Sequence, residues 1–217
     1  MDWRAGVDAY CERTSPEFWA EPVNAVTNAA FLAAAILMWR RAPLPMARAL
    51  SAVLGVIGVG SFLFHTFAER WAGLADVLPI LAFILLYIFA ANRDFLGLSP
   101  LRSFLGVLAF FPYAALAVPL FARLGFLGSS AGYAPIPVLI LVYSAFLRPR
   151  ARETARGMAM GALLLIVSLT FRTLDGPLCA TVPMGTHFMW HILNAVMLAW
   201  MIETYSRHML AGRRHSA

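Results

Sequence analysis

The amino-acid sequence predicts an all-α polytopic membrane protein, a bundle of seven transmembrane helices, and three observations predict it. Of the 217 residues, 61% are hydrophobic and only 13% are charged, with a mean hydropathy of +0.73. A soluble domain of this size needs far more charged surface to stay dispersed. The apolar residues also gather into seven runs, at 22–39, 48–68, 72–92, 102–122, 131–147, 156–174 and 185–206, each near the roughly 20 residues that cross a bilayer. Finally, the arginines that flank these runs are divided unequally between the two sides.

Seven crossings take about 140 residues, so the sequence predicts one domain over 1–217 with short connections. Residues 1–20 carry Asp2, Arg4, Asp8, Glu12, Arg13 and Glu17 and no apolar stretch. They do not read as a signal peptide, and the run starting at Pro22 reads as an uncleaved anchor. The fifth run is interrupted by Pro135 and Pro137, which membrane helices tolerate when neighbours satisfy the freed backbone groups. The arginine-rich stretch from Arg148 to Arg156 reads as a loop.

Alternate connections fall on opposite sides. One side holds Arg4, Arg13, Arg70, Arg123 and Arg172, and the other holds the remaining twelve of the 17 basic residues, all of them Arg. The arginine-rich side stays in the cytoplasm. This places the N-terminal segment 1–20 outside and the tail 207–217 inside. The net charge of +6 then belongs to anionic lipid headgroups, with no nucleic-acid partner and no obligate protein partner expected. Compact loops and short termini suggest a bacterial inner membrane. Cys11 and Cys179 both fall on the outer side, where disulfides persist. The topology predicts a bridge between them, and two unrelated thiols are the other reading.

Ionisable side chains inside a membrane helix face a cavity or a partner. The apolar runs hold His65, Asp76, His187 and His191, with Glu21 and Arg172 near helix ends; His208 and His215 read as solvated tail residues. The second run goes outward with His65 near its end. The third and seventh go inward, with Asp76 about one turn inside the third and His187 and His191 in the first turns of the seventh. All four groups therefore share one depth near the outer surface. His187 and His191 lie at i and i+4, on one helical face, and Ser61 and His65 share that spacing. Three neutral imidazoles with an open fourth position form the ligand set of a catalytic zinc site, and a nearby carboxylate can orient a ligand or take a proton. Each signal is common alone: a single membrane histidine is more often a helix contact, and a serine is frequent at helix crossings. The coincidence of depth is what favours a metal.

The pattern Gly60-Ser61-x-x-x-His65, Asp76 eleven residues later, and His187-x-x-x-His191 resembles the alkaline ceramidases. These belong to a wider superfamily of seven-helix membrane hydrolases with the adiponectin and progestin receptors, hemolysin-III-like proteins and GPI-remodelling proteins. Tyr10-Cys11-Glu12, then Ala20-Glu21-Pro22-x-Asn24-x-x-Thr27-Asn28, and Asp76-x-Leu78-Pro79 narrow the resemblance to ceramidases. It implies that His65, His187 and His191 bind Zn²⁺, that Asp76 serves as base and proton shuttle, and that Ser61 polarises the substrate oxygen. Cys11 and Cys179 match the family disulfide. The resemblance also implies a calcium site, with Glu12 and Glu21 as carboxylates, the Tyr10 carbonyl, and Asp8 as a neighbouring acid. Ala9 and Thr14 depart from that pattern, where an acid and an amide are usual. In the alternative reading, Glu21 and Asn24 cap or line the first helix.

The function expected is zinc-dependent hydrolysis of a lipid amide, ceramide or a related N-acyl lipid, to a fatty acid and a sphingoid base or amine. A receptor-like protein with a structural zinc site and a lipid esterase are the alternatives. An ion pathway is disfavoured, because the ionisable groups cluster at one depth.

Overall fold

A computed structural model of the chain describes residues 2–215, with side chains through 212. The described residues are helical throughout their ordered elements. Helices α1 (Pro22–Thr27) and α2 (Ala29–Arg41) form one rod, because Asn28 between them keeps right-handed helical dihedrals and its N–H bonds back to Ala25 and Val26. Then come α3 (Pro45–Phe67) and α4 (Arg70–Ala90), the latter running into a π-helical turn over Ala91–Phe95. Helix α5 (Pro100–Ala122) is followed by a 3₁₀ stretch over Gly125–Gly132 and by α6 (Pro135–Leu147). The chain ends in α7 (Arg152–Leu178) and α8 (His187–His215).

Five of these spans are long and apolar enough to cross a membrane, and six if a bent pair counts as one. That pair is the fifth predicted run. Pro135 and Pro137 start α6 instead of interrupting it, as suits a residue with no N–H to leave unpaired. The 13 residues of α6 reach only about 20 Å at 1.5 Å per residue. The preceding 3₁₀ stretch meets it at 68°. Helix α8 has the length but carries His187, His191, Asn194 and Glu203, which lower its hydropathy.

Two boundaries are corrected. Helix α7 begins at Arg152, so the stretch read as a loop to Arg156 is shorter; Glu153 in its first turn suits the positive helix end and pairs with Arg156. Helix α8 continues to His215, into the residues read as a tail, with Arg207 pairing with Glu203 one turn back. His208 is accordingly half-buried, 2.7 Å from Thr154 Oγ1 and with its ring centroid 4.6 Å from that of Phe95. The side chain of His215 lies outside the described residues.

Without a hydrophobic force between helices in lipid, close packing depends on small residues. A Cβ added at Gly157 would strike Thr204, and one at Gly161 would strike Met201, which sets the α7–α8 contact. Gly58 admits Phe31 of α2 in the same way. The core is built on Phe31, Leu50, Leu54, Ile57, Met158 and Ile202, all essentially buried. Leu101, Leu116, Phe126 and Phe146 are exposed around the rim, as lipid-facing side chains should be.

One end of the bundle is closed by the N-terminal segment. The Val7 N–H donates to the Ala68 carbonyl, and those of Arg70 and Trp71 donate to Ala5 and Trp3. Ala68 takes a left-handed φ of 48° to end α3 there. The same segment is tied to the far end of α7 by a Cys11–Cys179 disulfide, with Cα atoms 5.4 Å apart.

Candidate metal centre

The closed end of the bundle collects three helix termini: the last turn of α3 and the first turns of α4 and α8. His65, His187 and His191 are each 1% exposed. One ring nitrogen from each lies within 4.8 Å of the other two, and these three residues are the group among the described residues that could hold a metal ion. Their ring centroids are separated by 4.7–5.2 Å.

Each imidazole has one nitrogen with no hydrogen-bond partner: His65 Nε2, His187 Nδ1 and His191 Nε2. Buried polar atoms are almost always paired, so three orphans on neighbouring rings need an explanation. The opposite nitrogens of two rings are held. His65 Nδ1 lies 2.6 Å from Glu21 Oε2 and His191 Nδ1 lies 3.0 Å from Thr27 Oγ1. A carboxylate can only accept, which puts the His65 proton on Nδ1 and the free lone pair on Nε2. The Thr27 hydroxyl already points at the Val23 and Asn24 carbonyls, so it accepts from His191 Nδ1 and frees Nε2. Partners of this kind fix the tautomer and orientation of metal-binding histidines. The donor set therefore fits a cation held between the three rings, with the free nitrogens of His65 and His191 already fixed.

Ser61 and Asp76 are brought to the same place by Gly60. A Cβ there would collide with the Ala75 carbonyl, so α3 and α4 approach backbone to backbone. Asp76 stands beside the Ser61 hydroxyl and within electrostatic reach of His65 and Arg172. Ser61 is buried and Asp76 partly buried.

Several contributors carry no signal of their role in sequence. Asp175 is a buried carboxylate of α7. Its Oδ1 accepts the N–H groups of Thr186 and His187 at 2.7 and 2.9 Å, and its Oδ2 accepts that of Cys11 at 2.9 Å. It satisfies the exposed amides at the start of α8 and anchors the N-terminal segment together. Gly185, at φ 68°, leaves it room. Tyr10 stacks on His187 with ring centroids 3.6 Å apart, and Arg172 donates to the Tyr10 hydroxyl at 3.2 Å. Burial pushes the Tyr10 phenol above its ordinary pKa despite the nearby Arg172, which keeps it neutral against the imidazole.

The residues considered for calcium are differently engaged. Glu12 accepts the N–H groups of Val23 and Asn24 at 2.7 and 2.8 Å, capping α1. Burial pushes the Glu21 carboxyl up, but its contacts with His65, then Arg13 and Asn24, outweigh that and hold it below the usual carboxylate range. Asp8 is exposed. Asp8, Glu12 and Glu21 do not form a metal-sized cluster among the described residues.

No curated protein matches the chain. A family model described as Ceramidase matches residues 7–217, from the N-terminal closure through all the helices that carry the histidines, and the chain belongs to the ceramidase family.

Proposed function

We propose that the chain is a zinc-dependent lipid amide hydrolase, one seven-helix domain whose α8 completes the crossings, with the N-terminal segment and the site toward the outside of a bacterial inner membrane. The observation that supports this best is the set of three orphaned imidazole nitrogens at one end of a ceramidase-family bundle. Three imidazoles and an open fourth position suit catalytic zinc. Zinc, when bound, supplies Lewis-acid polarisation and lowers the pKa of water to about 7.

The chain's own residues do the rest. Asp76 accepts a proton from the attacking water and delivers it to the leaving amine. The Ser61 hydroxyl donates to the carbonyl oxygen as charge develops there. Glu21 and Thr27 keep two imidazoles in the ligating tautomer. The acyl chain lies among the helices, and the products are a fatty acid and a sphingoid base or amine. The test is to incubate purified protein with ceramide, a panel of other N-acyl lipids and matched esters. Fatty acid release from amides, stopped by a chelator and restored by zinc, is expected. Release that chelation leaves unchanged, or none across the panel, contradicts the proposal.

A further inference from the structure

A cation already sits against Glu21, one of the carboxylates that the resemblance offers to calcium, and it is a side chain. Arg13 is almost completely buried, its side chain 4% exposed. Its Nε donates to Glu21 Oε1 at 2.5 Å, its Nη1 to the carbonyls of Ser15 and Glu17 at 3.1 and 3.2 Å, and its Nη2 to the carbonyl of His65 at 3.1 Å. One carboxylate and three peptide carbonyls make a cage of hard oxygens, the ligand type that calcium takes. A guanidinium meets the same cage with a permanent charge and a planar fork of N–H donors.

The oxygens that calcium needs are meanwhile committed elsewhere. The Tyr10 carbonyl accepts the Arg13 N–H at 3.2 Å. Glu12 caps α1, and Glu21 is divided among Arg13, His65 and Asn24. Ala9 and Thr14 supply no charge. These residues do not fit a calcium ion.

We infer that Arg13 is a built-in cation that replaces calcium where the N-terminal segment meets α1, and that it positions His65 through Glu21 and through the His65 carbonyl. The bonds run in series. Arg13 holds one oxygen of Glu21, the other oxygen holds His65 Nδ1, and Arg13 also fixes the backbone that carries His65. Two consequences follow. The chain keeps its stability without calcium, and loss of Arg13 disturbs the metal centre from a distance. The second consequence rests on the proposed metal site; the first does not.

The first measurement is equilibrium dialysis of the purified full chain, with and without zinc, against about 1 mM radioactive calcium, together with its melting temperature in the same buffers. Neither stoichiometric calcium nor a rise in melting temperature is expected. One calcium per chain, or a rise of several degrees, overturns the inference, and the zinc-stripped sample reads this whatever the fate of the hydrolase proposal. The second measurement uses Arg13→Ala and Arg13→Lys. In Arg13→Ala, cobalt substituted for zinc should bind on the order of 10-fold more weakly and show an altered visible spectrum. Guanidinium at tens of millimolar should restore part of both. Unchanged cobalt affinity and spectrum, or loss that guanidinium does not touch, contradicts the positioning role. Should the alanine variant fail to fold, Arg13→Lys decides. It keeps the charge without the fork, so it should fold without calcium and bind cobalt between wild type and the loss expected for alanine. Wild-type cobalt affinity in Arg13→Lys overturns the positioning role, and a calcium requirement overturns the replacement.

Discussion

Glu21 Oε2 lies 2.6 Å from His65 Nδ1, and 44 residues of chain separate the two side chains. The contact turns a residue at the start of α1 into the partner of a ring at the end of α3. Replacing Glu21 with Gln keeps the shape but allows the amide to present N–H to Nδ1, which frees the wrong imidazole nitrogen. Metal affinity should fall on the order of 10–100-fold, read by competition with a zinc indicator, while the helical circular dichroism stays unchanged.

Thr27→Val removes the acceptor for His191 Nδ1 at nearly constant volume. A loss of metal affinity similar to that of Glu21→Gln is expected, with no effect on folding. Retention of full affinity would show that the ring is oriented by packing alone.

Gly60→Ala tests the approach of α3 to α4. The added methyl meets a backbone carbonyl, which cannot rotate away as a side chain would. Overpacking of this kind costs about 1–3 kcal/mol, and here it also separates Ser61 from Asp76. Lower thermal stability together with a fall in hydrolysis, beyond any loss of metal, is the expected pair of results.

Asp175→Asn leaves one acceptor oxygen where three backbone N–H groups converge. Hydrogen bonds to a charged acceptor contribute about 1.5–3 kcal/mol each. The variant should melt well below wild type. Reducing the Cys11–Cys179 bridge should lower it further, since both ties hold the N-terminal segment.

Much of this was legible in sequence for definite reasons. Apolar runs reveal the helices and their order, because a membrane forces each crossing to be long and apolar. Spacing and depth suffice to put His65, His187 and His191 at one end of the bundle. Apart from the Cys11–Cys179 bridge, side-chain partners that depend on tertiary contact were beyond reach. The contacts of Glu21 with Arg13 and His65 leave no trace in sequence, and Asp175 lies just past the sixth apolar run with no sign of its bonds to Cys11 and His187. The extension of α8 past 206 was hidden because its polar residues resemble a tail, whereas His208 packs on Phe95 and Thr154. The bend before α6 follows from prolines that mark a helix start as readily as an interruption.

The most direct test is the metal content of the purified chain beside His65→Ala, His187→Ala and His191→Ala, measured by elemental mass spectrometry with fatty acid release on the same samples. One zinc per wild-type chain, none in folded variants, and hydrolysis lost with the metal is the predicted result. A folded His65→Ala chain that keeps its zinc, or a metal-free wild type that still releases fatty acid from a lipid amide, would contradict the central claim.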